Sequence, residues 1–313
     1  MTPLTNPQPT AVPAPVSAPA PASVIEETTR LLTEHYVFPD VAEQLTTLLH
    51  RRLAEGAYDV DGAEELAHVV TADLQSANND RHLRLRHHAE PVPAEQGAAN
   101  LAAVRRDFDT SLGGAPRVEL LDGGVAVLEL APMLFPLEWA AEPLSAALTL
   151  ASRAQALILD LRANRGGDPD TVAFVCGHLL DERTHLNTMY WRAGDRTEQS
   201  WSPPHVPGTR FGGTKPLYVL SSATTFSAAE ELAYDLQQLG RATVVGERTR
   251  GGAHPCEGWT VHPHLEVTVP VGRAVNPVSG TNWEGTGVQP DVPCTAPDAL
   301  TRAHALALAQ LAA

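Results

Sequence analysis

Apolar residues recur with a helical period in three stretches near the start of the chain. Val24, Thr28, Leu31, Leu32 and Tyr36 share one face over residues 23–36. Val41, Leu45, Leu48, Leu49 and Leu53 do the same after Asp40, and Leu66, Val69, Val70 and Leu74 after Asp61. Asp40 with Glu43 and Asp61 with Glu64 have the spacing of capping boxes. Residues 101–108 predict a short fourth helix. The period then changes. Residues 117–121 and 125–130 flank Asp122-Gly123-Gly124, which predicts a hairpin. Further on, strands are expected at 157–161, 217–221, 243–245 and 265–271. Helices are expected from Asp168, with Pro169 in the first turn, over 226–239, and over 297–313. Strands alternating with helices predict an α/β core behind an N-terminal helical unit. The expected layout is a disordered Pro/Ala tail over 1–22, a helical N-terminal domain over 23–115 and an α/β catalytic core domain over 116–313.

Charge narrows the partners. Acids outnumber bases 37 to 22, for a net charge of -15. Such a chain lacks the basic stripe of a nucleic-acid binder and is repelled by anionic membranes. No apolar run has the length of a membrane span. The first 22 residues have neither a basic start nor an apolar stretch, so a cytoplasmic chain is expected. The three cysteines, Cys176, Cys256 and Cys294, are too few and too scattered for a disulfide framework or a zinc ribbon. Gly246 to Gly252 lacks the Gly-Lys-Ser/Thr of a phosphate loop, and no cofactor or metal is expected. Lys215 is the single lysine, so a catalytic lysine has one possible address.

Four segments could carry chemistry. Ser227, in Thr225-Phe-Ser-Ala-Ala-Glu230, sits where a strand gives way to a helix, and the N–H of Ala228 would lie beside it as an oxyanion donor. The same Ser227 and Glu230 also read as a plain capping box. Asp160-Leu-Arg-Ala-Asn-Arg-Gly-Gly167 follows another buried strand. Its Gly166 and Gly167 expose main-chain N–H groups, as an oxyanion nest or as a tight turn. Asn79-Asp-Arg-His82 offers an imidazole base, and Asn282-Trp-Glu-Gly-Thr-Gly-Val-Gln-Pro-Asp291 offers the carboxyl of Glu284 to orient it or to cap a turn. His262-Pro-His264 could place two imidazoles on one strand face, but no third metal ligand is evident.

These segments in this order, together with Gly246-Glu-Arg-Thr-Arg-Gly-Gly252, resemble the serine peptidase family of C-terminal-processing proteases, the tricorn core and interphotoreceptor retinoid-binding protein. The helical unit with Tyr36-Val-Phe-Pro39 is most similar to the retinoid-binding branch and its bacterial relatives. The resemblance spans residues 23–313. It implies a crotonase/caseinolytic-protease-like core, Ser227 as nucleophile, and oxyanion donors from Ala228, Gly166 and Gly167. The lysine that serves the processing proteases falls on Gly252. The histidine and glutamate of the tricorn branch fall on His82 and Glu284, while its assisting serine falls on Arg81. The stretch from 83 to 117 is too short for a peptide-anchoring PDZ module.

A serine-type peptidase acting on peptides or proteins is therefore expected, with Ser227, His82 and Glu284 as its catalytic set and no metal. The alternatives are a non-catalytic binding protein for a hydrophobic small molecule or peptide on the same scaffold, and a metal-dependent hydrolase using His262 and His264. Oligomeric state is left open.

Overall fold

The computed structural model describes residues 19–92 and 96–313. The expected tail, up to residue 18, lies outside the described residues. Three helices open the fold: α1 (Pro21–His35), α2 (Pro39–Ala54) and α3 (Gly62–Gln75). Proline sits in the first turn of α1 and α2, where its missing N–H costs nothing. Neither expected capping box forms. Phe38 rather than Asp40 precedes α2, and Asp61 precedes α3 without a side-chain cap bond. Strand β1 (Arg84–His87), helix α4 (Gln96–Thr110) and the hairpin of β2 (Arg117–Leu121) and β3 (Val125–Glu129) follow.

The rest of the chain runs α5 (Leu137–Ala151), β4 (Ala156–Asp160), α6 (Pro169–Leu179), β5 (His185–Trp191), β6 (Arg196–Trp201), β7 (Leu217–Ser221), α7 (Ala228–Gln238), β8 (Thr243–Gly246), β9 (Cys256–His262), β10 (Leu265–Pro270), β11 (Gly272–Val275), β12 (Val292–Pro293) and α8 (Ala296–Leu311). The six-stranded sheet has the order β12-β8-β7-β4-β3-β2, parallel except for the antiparallel pair β2 and β3.

Strand periodicity explains the layers. In β4 the alternating residues Leu157 and Leu159 point to a core shared with α5, α6 and α7. Ile158 points the other way, with Val127 and Leu220, onto Ala299, Ala303 and Ala307 of α8. Both faces of the central strands are covered, so they read as unbroken apolar runs. Helices α1, α2 and α3 enclose a separate cluster that includes Leu85 of β1 and Leu265, Val267 and Val269 of β10. Here β1 pairs antiparallel with β10, Arg84 opposite Thr268. The chain thus returns late to complete the floor under its first helices. No helix among the described residues is long and apolar enough to cross a membrane.

Candidate active site

Two loops leave the carboxyl ends of neighbouring parallel strands, where Asp160 of β4 lies opposite Leu220 of β7. Ligands collect at such strand ends in open α/β sheets. Hydroxyl groups lash the loops together. Ser222 Oγ donates to Arg162 O at 2.6 Å, and Thr225 Oγ1 donates to Leu161 O at 3.0 Å. Asn164, wholly buried, accepts the Gly166 N–H at 2.9 Å and donates to Leu130 O at 2.9 Å.

Ser227 ends the second loop as the residue before α7, with φ 55° and ψ -125°. A side chain is rarely held in this region, at a cost of about 1–3 kcal/mol, and the surroundings must over-determine it. Glu230 does so. Its Oε2 accepts the N–H groups of Ser227 at 2.8 Å and Gly252 at 2.9 Å. Its Oε1 accepts the Gly251 N–H at 2.6 Å and the Thr249 hydroxyl. Burial pushes this carboxyl up to about 7, with the four donors pulling the other way.

Gly166 abuts the serine: a Cβ on it would come within 2.6 Å of Ser227 Cβ. A Cβ on Gly167 would meet Leu134 O at 1.9 Å. The pair must therefore be glycine. Of the expected oxyanion donors, Gly166 is already committed, since its N–H goes to Asn164 Oδ1. The N–H groups of Gly167 and Ala228 make no hydrogen bond among the described residues. Both residues line a cavity of about 240 Å³ with Ser227, His82, His254 and Trp283.

His82 is buried, its ring 4.6 Å from that of Phe226. A Cβ on Gly252 would come within 2.6 Å of His82 Cε1 and 2.3 Å of Phe226 Cε2. A lysine at position 252 and the imidazole of His82 therefore exclude each other. His82 Nδ1 lies 3.9 Å from Glu284 Oε2, too far for a hydrogen bond, and has no hydrogen-bond partner among the described residues. Glu284 is held by the main chain. Its Oε1 accepts the Arg81 N–H at 2.7 Å, and its Oε2 accepts the N–H groups of Ala253 and His254. Burial works against its charge, yet the His82 ring, His254 and the N–H groups of Ala253 and Arg81 keep this carboxyl below its ordinary range. Arg81 thus contributes its backbone, while its guanidinium reaches Gln75 at 3.3 Å.

Two residues absent from the sequence reading join the network. Asp80, fully buried, accepts the Tyr36 hydroxyl at 3.0 Å and pairs with His254 Nδ1 at 2.8 Å. His254 Nδ1 is also 3.6 Å from Glu284 Oε2. Burial lowers the pKa of His254, but Asp80 and Glu284 outweigh it and leave it raised. The signals were faint: Asp80 stands two residues before His82, and His254 two after Gly252. Donor atoms of Asp80, His254 and Glu284 lie within 4.8 Å of one another, the spacing a metal ion requires. The set is already satisfied by the Asp80–His254 bond and by main-chain donors on Glu284, which leaves no open lone-pair cage.

The other sequence candidates lie apart from this cavity. His262 ends β9 and His264 lies in the turn before β10, their ring centroids 6.2 Å apart, and His264 Nδ1 bonds His88 O at 2.9 Å. Lys215 Nζ donates to Ser152 O at 2.6 Å and Ala154 O at 3.1 Å, before the first residue of β7. Ser227 follows the other end of that strand. Lys215→Arg is expected to keep kcat/KM on a peptide substrate within about twofold, the charge and its distance from the cavity being unchanged. A loss beyond tenfold would restore lysine as the activating group.

Comparison with known proteins agrees with this architecture. Residues 125–294 match "Peptidase family S41", and residues 18–109 match the "N-terminal domain of Peptidase_S41 in eukaryotic IRBP". Among solved structures, a protein of Parabacteroides merdae assigned as a peptidase shares 20% identity. It aligns over 95% of this chain and 98% of its own, with a TM-score of 0.65. The photosystem II D1 C-terminal processing protease shares 17% identity over 88% of this chain and 94% of its own, with a TM-score of 0.53. The tricorn protease shares 14% over 94% of this chain and 37% of its own, with a TM-score of 0.60. The structural likenesses establish a common fold, and the first family match covers more than half of the 313 residues. The chain belongs to peptidase family S41 and is a serine peptidase, with peptides or proteins as its substrates.

Proposed function

We propose that the chain hydrolyses peptide bonds with Ser227 as nucleophile, His82 as general base and Glu284 as the carboxylate that orients the base. One observation carries this reading: Ser227 and His82 line the same cavity as the unengaged N–H-bearing residues Gly167 and Ala228. With Nδ1 turned toward Glu284, Nε2 is the ring atom left for the serine. Ser227 Oγ attacks the carbonyl carbon while its proton passes to His82 Nε2. The carbonyl oxygen becomes an oxyanion facing the N–H groups of Gly167 and Ala228. Each donor of that kind is worth about 3 to 4 kcal/mol. Collapse breaks the C–N bond, and the proton on His82 goes to the leaving amine. Water then repeats the sequence on the acyl-serine, with His82 again taking the proton.

Glu284 stays ionised in this scheme because its neighbours hold its pKa down. Formation of the imidazolium closes the 3.9 Å gap to Nδ1 into a charge-assisted hydrogen bond. His254 and Asp80 act as positioning residues: Asp80 accepts the His82 N–H at 3.2 Å and holds His254, whose Nδ1 lies 3.6 Å from Glu284 Oε2. Arg81 replaces the assisting serine of the tricorn branch through its main-chain N–H rather than its side chain.

The test is covalent labelling. A fluorophosphonate is expected to add one phosphonyl group to Ser227, located by peptide mass mapping, and Ser227→Ala is expected to abolish the adduct in folded protein. Folded wild type that carries no adduct at Ser227 would overturn the assignment in favour of a ligand-binding role for the cavity.

A further inference from the structure

The cavity that holds Ser227 has one acidic wall. Glu231 stands one turn beyond Ser227 on α7 and lines the cavity with Pro169 and Met189. Asp235 lies one turn further on, wholly buried. Asn187 of β5 donates its amide to Glu231 Oε1 at 3.1 Å and to both Asp235 oxygens at 3.0 Å. Asn276 donates to Asp235 Oδ1 at 3.0 Å. Two carboxyls are thus packed together with amides alone. Among the described residues, no arginine, lysine or histidine forms an ion pair with either, whereas Asp160, Asp73 and Asp80 each have such a partner.

The cluster also lacks a donor. Asn187, with no exposed surface, turns its amide onto both carboxyls, and its Oδ1 has no hydrogen-bond partner. Buried carboxyls without a cation are costly unless a proton or a bound cation neutralises them. Burial and the charges of Asp168 and Asp170 at the start of α6 push Glu231 up to about 7, against the pull of Asn187. A purely structural acid pair would be sealed on every side. This one opens into the cavity at Glu231, one helical turn from the nucleophile.

We propose that Glu231, backed by Asp235 and Asn187, is a cation subsite of the peptidase that takes the ammonium or guanidinium of a lysine or arginine flanking the scissile bond. The subsite rests on the reading of Ser227 as nucleophile. An N–H donor carrying positive charge pairs with the Glu231 carboxyl where it opens into the cavity. Selection then follows from binding energy made available at the reacting bond, and a neutral isostere leaves the acids unpaired.

The experiment compares kcat/KM on peptide pairs that differ at one residue flanking the scissile bond, lysine against norleucine and arginine against citrulline, in wild type and Glu231→Gln. Wild type is expected to favour the cationic member by about tenfold or more, and the variant to lose most of that ratio. Equal rates within each pair, in protein whose Ser227 still takes the fluorophosphonate, overturn the subsite and leave the nucleophile standing. If Ser227 takes no label, the nucleophile reading fails, and calorimetry with benzamidine decides the subsite without turnover. Benzamidine binding wild type at least tenfold tighter than benzamide, and losing that advantage in Glu231→Gln, supports the subsite. Equal affinity for the two compounds overturns it, and this comparison on wild type alone serves if the variant does not fold.

Discussion

Ser227→Ala and His82→Ala are each expected to lower kcat/KM by about 10⁴-fold or more, and the double variant to be no slower than the slower single one. In the proposed mechanism the two side chains act as one unit. A base without a nucleophile has nothing to deprotonate, and a serine without a base is a neutral alcohol at ordinary pH. Residual activity is expected from the proposed oxyanion donors, the Gly167 and Ala228 N–H groups, and from substrate binding, which neither substitution touches. Both variants are expected to fold. Alanine meets the same backbone restriction at φ 55° as serine, and the strain is held by the Ser227 N–H bond to Glu230, which alanine keeps. Losing the imidazole opens a gap beside Phe226 at the cavity wall, where water can enter. Steady-state kinetics of the four proteins, with circular dichroism as the folding control, check this. A His82→Ala rate within tenfold of wild type moves the base elsewhere, and His254 is the next imidazole lining the cavity.

Glu230→Ala is expected to cost about 4 kcal/mol or more of folding stability. Its carboxyl receives four donors, the N–H groups of Ser227, Gly251 and Gly252 and the hydroxyl of Thr249. Each buried donor stripped of its acceptor costs about 1 to 3 kcal/mol, and water admitted to the gap recovers part of the sum. Glu230→Gln keeps one oxygen but turns an amide NH₂ toward donors, so a smaller loss is expected. Urea unfolding reads both values, as a shift of midpoint at constant slope. The alanine variant is also expected to lose turnover out of proportion to its stability, because the same carboxyl fixes Ser227 and the strand of residues that walls His82. A stability within about 1 kcal/mol of wild type would mean that the four donors find other acceptors.

Much of this fold could be read along the chain because its layers use different periods. The helical faces of α1, α2 and α3 and the doubly buried strands β4 and β7 are strong patterns, and they stand within a few residues of their expected bounds. Helix α5 was not legible. Pro143 lies inside it, and a proline in mid-segment reads as a break, although here the helix runs through it. Strands β5 and β6 were missed for another reason. They form a separate three-stranded sheet with β11 and lie half open to solvent, so no apolar alternation marks them. At the site, Ser227, Gly167 and Glu284 stand in glycine-rich or strand-end motifs that local sequence displays. The pairing of Asp80 with His254 joins residues 174 positions apart, and nothing local in either segment announces it. The division of labour between Gly166 and Gly167 is likewise invisible until Asn164 is seen to occupy one N–H.

The return of β10 beneath the first helices also has a kinetic side. His82 is tied by its carbonyl oxygen to Thr268, its ring faces Glu284, and β1 pairs with β10 across some 180 residues of chain. Contacts of such sequence separation are the last to be repaid during folding. On a ribosome that has released the chain only as far as α7, Ser227 is already synthesised, but β10, which ties His82, and Glu284, proposed to orient it, are not. Under the proposed assignment, a peptidase wired in this order is expected to be silent while it is being translated. The proposed site is complete only when the last quarter of the polypeptide has emerged and docked. With the proposed roles of His82 and Glu284, truncation before residue 284 is therefore expected to leave a fragment that hydrolyses no peptide, which an assay of the truncated chain checks.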